Sequence, residues 1–181
     1  MIRTIQYEMI QRLGFTLFAF LLMALSLEAQ KPPETKEEFE KAYQRRIRQE
    51  TLYGVYIPKD LTEAFTELNR LIDDESKESF KSMPEDAAVD LLFFSFGRWI
   101  THNWGFYGGS RLSHYIKQLG VTHPEDMSEF VVRTYHRNLN RKSLDVKTLV
   151  EDIRARRQAE IDAKKQQGTI LYEETRTREK N

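Results

Sequence analysis

The stretch Leu91-Leu-Phe-Phe-Ser-Phe96 is apolar apart from one serine, and it lies inside a helical pattern. Pro84-Glu-Asp86 begins that pattern, which continues to about Asn103. Proline followed by acidic residues is typical of the first turn of a helix. A helix that is apolar nearly all round is expected to be buried. We therefore predict that residues 84–103 form the central, buried helix, with Trp99 in the core.

Two capping boxes predict helices before this stretch. Thr35 and Glu38 have the required spacing, so a charged surface helix is expected from there to Glu50. Asp60 and Glu63 repeat the spacing in front of a second helix. The apolar residues of this second helix keep to one face, which consists of Leu61, Ala64, Phe65, Leu68, Leu71 and Ile72. Both segments are therefore expected to lie on the core by one face.

Further helices are predicted on either side of these elements, with a short helical piece at 76–83. Ser110 is placed to cap a helix that Gly120 ends. Thr122-His-Pro-Glu125 is expected to begin the next helix, with a capping box and a proline in its first turn. The last helix is expected over 145–166, followed by a polar tail at 168–181. The core residues of these last two helices are Met127, Phe130, Val131, Tyr135, Leu149, Val150 and Ile153.

These patterns predict an all-α fold, a single compact multi-helix domain around the buried central helix. Thr51–Pro58 has extended character, and Thr169–Tyr172 is a candidate partner for Leu52–Ile57 in a minor two-stranded ribbon. The predicted divisions of the chain are a signal peptide at 1–29, a charged N-terminal helix and connector at 30–54, a core helical domain at 55–150, and a C-terminal helix extension and polar tail at 151–181.

The N-terminal residues have the pattern of a signal peptide. Arg3 and Arg12 supply positive charge, and the apolar run Leu13–Leu27 follows. As a helix this run would measure roughly 22 Å, shorter than the roughly 30 Å core of a bilayer. Cleavage is expected after Ala29 or, alternatively, after Ser26, and an uncleaved membrane anchor is the remaining alternative. We expect an exported, periplasmic or secreted protein with no stable membrane span after cleavage.

Composition excludes several classes of protein. The absence of cysteine rules out disulfide staples, cysteine-ligated zinc and thiol catalysis. An exported protein without cysteine fits a bacterial periplasm or cell exterior better than a eukaryotic secretory product. The chain carries 28 basic and 28 acidic residues, acidic in its first half and mildly basic in its second. This basicity is too dilute for a nucleic-acid footprint, so no nucleic-acid partner is expected. We also expect no cofactor.

A glycine-rich turn, Gly105-Phe-Tyr-Gly-Gly-Ser110, leads directly into a helix that begins near Arg111. Glycines allow successive backbone N–H groups to converge, and the helix adds its positive N-terminal end. Arg111 is suited to hold a carboxylate or phosphate in a bidentate manner. The sequence thus points to an anion site, and the alternative is a helix–turn–helix corner in which Arg111 pairs with an acidic neighbour.

The four histidines do not have the spacing of a helical metal pair. They are His102, His114, His123 and His136. His114 lies one turn from Arg111, and His136 lies close to Arg133 and Arg137. Neighbouring cations disfavour a metal ion and favour an anion or an acidic partner. No Gly-x-Ser-x-Gly motif or paired carboxylate identifies a hydrolase.

The favoured interpretation is a non-catalytic, exported binding module that recognises an acidic protein or a small anionic ligand. Its predicted binding face consists of Trp104, Tyr107, Gly108, Gly109, Arg111, His114, Arg133, His136 and Arg137. Two alternatives stay open. One is a hydrolase-type enzyme that uses His114 or His136 with Arg111, and the other is a structural envelope protein that makes contacts through the helix at 145–166.

Several short motifs over roughly residues 55–150 resemble a family of small, uncharacterised bacterial domains found mainly in Bacteroidota. They are Ile57-Pro-Lys-Asp-Leu61, Glu63-Ala64, Glu67-Leu68, Phe96-Gly-Arg-Trp-Ile100, Asn103-Trp-Gly105, Gly109-Ser-Arg-Leu112, His123-Pro-Glu-Asp-Met-Ser128 and Thr134-Tyr-His-Arg137-Asn-Leu-Asn140. The Trp-Gly…Gly-Ser-Arg and His-Pro-Asp/Glu-Asp-Met-Ser parts are the most specific. The family is known as a domain of unknown function. The resemblance implies a genuine domain of Gram-negative origin and supplies no activity.

Overall fold

The computed structural model describes residues 33–178, with side chains to Gln166. The described residues are mostly helical, with one antiparallel two-stranded ribbon, so the predicted all-α class and minor ribbon are confirmed. The predicted signal peptide lies outside the described residues. The elements in chain order are α1 (Lys36–Arg46), β1 (Thr51–Leu52), β2 (Val55–Tyr56), α2 (Leu61–Leu71), α3 (Asp74–Ser82), α4 (Glu85–Leu92), a π-helical turn (Phe93–Gly97), α5 (Arg98–Asn103), α6 (Arg111–Leu119), α7 (Pro124–Leu139) and α8 (Val146–Arg178). Within this range, every helix is too short or too polar to cross a lipid bilayer.

Residue contacts divide the described chain after Glu40, inside α1, and the two parts are described separately. In the first part, Thr35 Oγ1 accepts a hydrogen bond from the Glu38 backbone N–H at 3.2 Å. The Glu38 carboxylate accepts one from the Thr35 N–H at 3.3 Å. This reciprocal pair satisfies two N–H groups at the start of α1, so the predicted capping box is confirmed.

Local signals at the starts of α2 and α6 are also confirmed. The Asp60 carboxylate accepts from the Glu63 N–H at 2.9 Å. The Ser110 hydroxyl accepts from the Ser113 N–H at 3.2 Å, and the Ser113 hydroxyl accepts from the Ser110 N–H at 2.7 Å. Gly120 ends α6 as predicted. Each of these boundaries depends on residues three or four positions apart, which is why the sequence reveals them.

The central helix is α7, and the prediction that residues 84–103 fill this role is wrong. α7 packs against α2, α3, α4, the π-helical turn, α5, α6 and α8. Its buried residues include the expected Met127, Phe130, Val131 and Tyr135 together with Asp126, Ser128, Glu129, Val132, Thr134 and His136. The core is therefore organised around a helix that contains several charged side chains.

The apolar run at 91–96 lies largely on the surface. Leu91 is 64% exposed, Phe94 is 74% exposed, and Trp99, predicted to be a core residue, is 37% exposed. Within 84–103, the side that faces the core contains Ala88, Val89, Gly97, Ile100 and Thr101. The segment contains more large apolar residues than this one side can bury, so the remainder stay in contact with solvent.

Ion pairs to α4 satisfy two arginines near the C-terminal end of α7. Arg137 donates from Nε to both carboxylate oxygens of Glu85 at 3.0 Å and from Nη1 to the Leu144 carbonyl at 2.7 Å. Arg133 Nη1 contacts Glu85 at 3.1 Å and Asp86 at 2.5 Å. Burial raises the pKa of Glu85, but hydrogen bonds from Arg137 and Arg133 outweigh this effect and hold the pKa below its ordinary value. The pairs join α7 to the first turn of α4.

Two arginines of α8 neutralise carboxylates near the N-terminal end of α7. Arg157 binds Asp126 through two hydrogen bonds of 2.8 and 2.5 Å. Arg156 binds both oxygens of Glu129 in the same bidentate manner. Such forked pairs are the strong form of the arginine–carboxylate interaction. The predicted apolar contact of α8 is also present, since Leu149, Val150 and Ile153 are buried as expected. The ion pairs supplement this contact.

The ribbon is formed by β1 and β2, and the predicted pairing with Thr169–Tyr172 is wrong. Leu52 pairs with Val55, so only Tyr53 and Gly54 connect the strands. Both connecting residues have positive φ, 51° and 80°, as a tight two-residue hairpin turn requires. Residues 169–172 instead continue α8, which replaces most of the predicted polar tail by helix.

The start of α7 also differs in detail from the prediction. The helix begins at Pro124, as the proline indicated, but His123 precedes it without a side-chain capping hydrogen bond. The capping box expected between Thr122 and Glu125 is therefore wrong. The side chain of Glu125 is directed to other partners, described below.

Glu63 joins the hairpin to α2 and α6. Its carboxylate accepts from the Tyr56 hydroxyl at 2.7 Å and from the Lys59 backbone N–H at 3.0 Å, and it lies 2.7 Å from Lys59 Nζ. Arg111 Nη2 contacts the same carboxylate at 3.4 Å. The hydrogen bonds from Lys59 and Tyr56 lower the pKa of Glu63 from 4.5 to about 2.

Replacing Glu63 is expected to remove an acid-sensitive part of the stability. Because the folded pKa lies below the unfolded value, the ionised carboxylate stabilises the fold above about pH 4.5, and this contribution is lost as the pH falls towards about 2. Glu63→Gln should therefore lower the free energy of unfolding at neutral pH, and the difference from wild type should shrink towards pH 2. Urea unfolding at several pH values measures both effects.

Glu67→Gln is the matched control, because Glu67 lies on the same helix and pairs with Arg70, an exposed residue three positions away. We expect a smaller loss of stability from this change than from Glu63→Gln. A difference between wild type and Glu63→Gln that stays constant from neutral pH to about pH 2 would contradict the role assigned to the Glu63 carboxylate.

Candidate functional site

The glycine-rich turn before α6 is covered by two side chains from the C-terminal part of α1, Tyr43 and Arg46. A Cβ added to Gly109 would lie 2.3 Å from a ring carbon of Tyr43, and one added to Gly108 would lie 2.7 Å from the Arg46 guanidinium. Arg46 Nε also donates to the Gly109 carbonyl at 3.0 Å. An anion was predicted to bind at this turn. The two side chains Tyr43 and Arg46 contact the turn instead. This is the arrangement of a packed corner.

Arg111 makes contacts within the protein. Its Nε donates to the Ile57 carbonyl, and its Nη atoms contact Glu63 at 3.4 Å and Glu50 at 3.5 Å. The guanidinium carbon lies 5.0 Å from the centre of the Tyr56 ring. These contacts agree with the alternative in which Arg111 pairs with acidic neighbours, and they give it a clear role in attaching the hairpin to α6.

The remaining predicted site residues are not assembled into one exposed face. Trp104 has no exposed surface and His136 is 1% exposed, so their assignment to a binding face is corrected to the core. His136 Nε2 lies 3.1 Å from the Met83 carbonyl. His114 contacts the Tyr43 hydroxyl through Nδ1 at 3.0 Å. Arg133 and Arg137 hold the acidic residues of α4.

Two of the predicted site residues line open pockets. Arg133 lines one together with Arg156 and Arg157, and Tyr107 lines another. The pocket at Tyr107, called here the α5 pocket, has a volume of about 370 Å³. The π-helical turn, α5, the glycine-rich turn and the first turns of α7 each contribute to its wall. The lining residues are Phe93, Phe94, Arg98, Thr101, His102, Tyr107, Glu125 and Ser128. The pocket combines an aromatic wall with the guanidinium of Arg98, the imidazole of His102 and several hydroxyl groups.

Arg98 and His102 lie one helical turn apart on α5, a spacing that places both on the same face. Both are exposed, and neither side chain makes a hydrogen bond or an ion pair with any residue in the range 33–166. Arg111, Arg133 and Arg137, in contrast, have carboxylate partners. Of the arginines considered as ligand-binding groups, Arg98 is thus the one without a carboxylate partner among the described residues.

The carboxylate of Glu125 also lines the pocket, and one of its oxygens is hydrogen-bonded. Oε1 accepts from the Tyr107 hydroxyl at 2.7 Å. Oε2 is buried and makes no hydrogen bond within the described residues; His123 Nδ1 lies 2.6 Å from it and 3.1 Å from Arg157 Nη2. Burial raises the pKa of Glu125, whereas the hydrogen bond from Tyr107 and the neighbouring His123 lower it, and the net shift is downward. The same hydrogen bond raises the pKa of Tyr107.

Sequence reasoning missed Arg98, Phe93 and Phe94 as site residues because it assigned them to a buried helix. The spacing of Arg98 and His102 was the available signal, since four residues on a helix place two side chains on one face. No group of histidine and carboxylate side chains suited to a metal ion is found within the described part of the chain.

The packing of the corner predicts unequal effects for two glycine substitutions. Gly54 and Gly109 both have positive φ, 80° and 84°. Alanine at either position should cost roughly 1–2 kcal/mol in backbone strain. At Gly109 the Tyr43 ring must also move, which should add about 1–3 kcal/mol, whereas a Cβ at Gly54 meets nothing within 4 Å. Urea unfolding of Gly109→Ala and Gly54→Ala measures the difference, and equal losses would contradict the described contact.

Comparison with known proteins gives one family. Residues 57–139 match the model of a domain of unknown function, DUF6794. This agrees with the resemblance found from the sequence motifs. Neither the curated proteins nor the solved structures contain a match. The α5 pocket lies entirely inside the part of the chain that is similar to DUF6794.

Proposed function

We propose that this protein is a non-catalytic binding module whose ligand is a small anion, a carboxylate or phosphate joined to an apolar group. The α5 pocket is its binding site. The observation that carries the proposal is that Arg98 and His102, which line the pocket beside Phe93 and Phe94, make no side-chain hydrogen bond or ion pair with a residue that the structure describes.

The electrostatics of the pocket support an anionic ligand. A guanidinium without a carboxylate partner can form two parallel hydrogen bonds with one carboxylate or phosphate. His102 adds a second donor on the same face of α5. The Glu125 carboxylate would oppose an anion, but the Tyr107 hydroxyl binds its Oε1, and its Oε2 is buried. The polar part of the ligand is therefore expected to lie towards Arg98 and His102.

The aromatic side chains support an apolar part in the same ligand. Phe94 is 74% exposed and Phe93 is half-buried, and both line the pocket. Large exposed aromatic side chains next to polar groups are characteristic of binding sites. A volume of about 370 Å³ lies within the range of ordinary small-molecule sites. The site thus suits an amphipathic small molecule.

Calorimetric titration of the full-length protein tests the proposal with 3-phenylpropionate and with its uncharged amide as probes. We expect the carboxylate to bind and the amide to bind at least tenfold more weakly, because a charge-assisted hydrogen bond contributes about 1.5–3 kcal/mol. Arg98→Gln should weaken the binding of 3-phenylpropionate by about tenfold or more, and His102→Gln should weaken it to a smaller degree.

Arg45→Gln is the control, since Arg45 is an exposed arginine of α1 that does not line the pocket. It should leave the affinity for 3-phenylpropionate unchanged. Equal binding of the acid and the amide, or equal losses from Arg98→Gln and Arg45→Gln, would refute an anion site at α5.

We further propose that the protein acts after export, in the periplasm or outside the cell. The support is the arrangement of Arg3 and Arg12 before the apolar run Leu13–Leu27. Fractionation of Gram-negative cells that express the full-length chain tests this. Recovery of a shortened chain from the periplasm or medium is the expected result, and an intact chain in the cytoplasm would overturn the proposal.

A further inference from the structure

His123 lies directly before the first turn of α7, where one of its ring nitrogens is close to two charged side chains. Nδ1 lies 3.1 Å from Arg157 Nη2 on α8 and 2.6 Å from Glu125 Oε2 on α7. We infer that His123 is a pH-sensitive switch, which accepts a hydrogen bond from Arg157 when its ring is neutral and donates one to Glu125 when its ring is protonated.

The two contacts require opposite states of the same nitrogen. Arginine has hydrogen-bond donors only, so Arg157 binds Nδ1 only while this nitrogen has a free lone pair. An ionised carboxylate has acceptors only, so Glu125 binds Nδ1 only while this nitrogen carries a proton. The two hydrogen bonds therefore exclude each other. Protonation of the ring places a proton on both nitrogens and so removes the bond from Arg157.

The structure has the arrangement that belongs to the neutral ring. Arg157 Nη2 is hydrogen-bonded to Nδ1, whereas Glu125 Oε2 is buried and makes no hydrogen bond with any residue of the described part of the chain. A distance of 2.6 Å is short enough for a hydrogen bond, so the direction of the ring is what prevents one. Leaving a buried oxygen unpaired is unfavourable. Protonated His123 supplies the missing donor once its ring rotates towards Oε2.

The imidazole, and not the carboxylate, is the group that changes charge near neutral pH. Burial raises the pKa of Glu125, but the hydrogen bond from Tyr107 outweighs this effect, and the net shift is downward. Glu125 therefore stays ionised between about pH 5 and about pH 8, the range in which histidine ordinarily changes its charge. The His123 side chain is 46% exposed, so solvent protons reach it.

Charged groups of three helices face His123 across an open cleft between α4, α7 and α8. They are Asp90 of α4, Glu125 and Asp126 of α7, and Arg157, Glu160 and Lys164 of α8. Further along the cleft, Glu129 binds Arg133 and Arg156. Arg157 is also held by Asp126 at 2.5 Å and by Glu160 at 3.2 Å. Arg157 thus keeps two carboxylate partners when His123 is protonated, and the exchange is confined to the imidazole.

The switch connects the pH of the solvent to one wall of the α5 pocket. Glu125 lines this pocket and holds Tyr107 through its other oxygen. An imidazolium bound to Oε2 offsets the negative charge of that wall, whereas the neutral ring leaves the charge in place. The inference concerns contacts within the protein, so it does not depend on the ligand proposed for the pocket.

Urea unfolding of the full-length protein at about pH 5.5 and about pH 8 tests the switch through double-mutant cycles. The pair of His123 and Glu125 stabilises the fold while the ring is protonated, so this contribution is present at the lower pH and is lost as the pH rises. The cycle of His123→Gln with Glu125→Gln should therefore show a coupling about threefold larger, in the unfolding equilibrium constant, at the lower pH.

The cycle of His123→Gln with Arg157→Gln should show the opposite trend. Its coupling should be larger at the higher pH, because the neutral ring accepts from Arg157 and the imidazolium repels it. Glu67→Gln is the control, since Glu67 pairs with Arg70 on α2. The cost of this change should be the same with and without His123 at both pH values.

Nitrogen-15 NMR of the histidine rings tests the switch without any destabilising variant. The spectrum of His123→Gln identifies the two signals of His123. Nδ1 should have the chemical shift of an unprotonated nitrogen at the higher pH and that of a protonated nitrogen at the lower pH. A neutral ring with its proton on Nδ1 would overturn the inference, since Glu125 would then be the partner in both states. Couplings that do not change with pH would overturn it as well.

Discussion

Charged side chains on α7 must have partners because this helix lies in the core. Removing one member of a buried ion pair leaves an uncompensated charge and typically costs about 3–5 kcal/mol. Glu85 holds Arg137 and Arg133, while Arg157 holds Asp126. These pairs determine where α4 begins against α7 and where α8 crosses it. α4 leads directly into the π-helical turn and α5, so these pairs also position the α5 pocket.

Local elements of this fold could be predicted, whereas the identity of the central helix could not. The cap at Asp60 and the capping box at Ser110 each involve residues three positions apart. The burial of Asp126, in contrast, depends on Arg157, which is 31 positions later. Charge in a sequence ordinarily indicates a surface, and an apolar run ordinarily indicates a core. Distant ion pairs reverse the first expectation for α7. Residues 91–96 reverse the second, because their segment contains more large apolar residues than one side can bury.

The same limitation explains the outcome at the candidate site. The position of the glycine-rich turn before a capped helix could be predicted, because glycine and serine act locally. The contact of this turn with Tyr43 could not be predicted, because no sequence motif links α1 to Gly109. Arginine is a residue type that commonly binds anions, but in this fold Glu50 and Glu63 already contact Arg111. Arg98 and Arg111 differ in whether the guanidinium already has a carboxylate partner. This difference arises only when the chain folds.

The π-helical turn makes the α5 pocket depend on chain length as well as on residue type. A π-helical turn accommodates extra chain within an otherwise α-helical segment, and each residue of an α-helix advances its side chain by about 100°. Loss of one residue between Leu92 and Arg98 would restore regular α-helical winding, and α5 would keep its phase relative to α4, because the turn holds one residue more than an α-helical turn needs. The phenylalanines that lie in the turn, Phe93 and Phe94, would then change position relative to Arg98 and His102. Related chains with a one-residue deletion here would accordingly retain the helix and change the aromatic wall of the pocket.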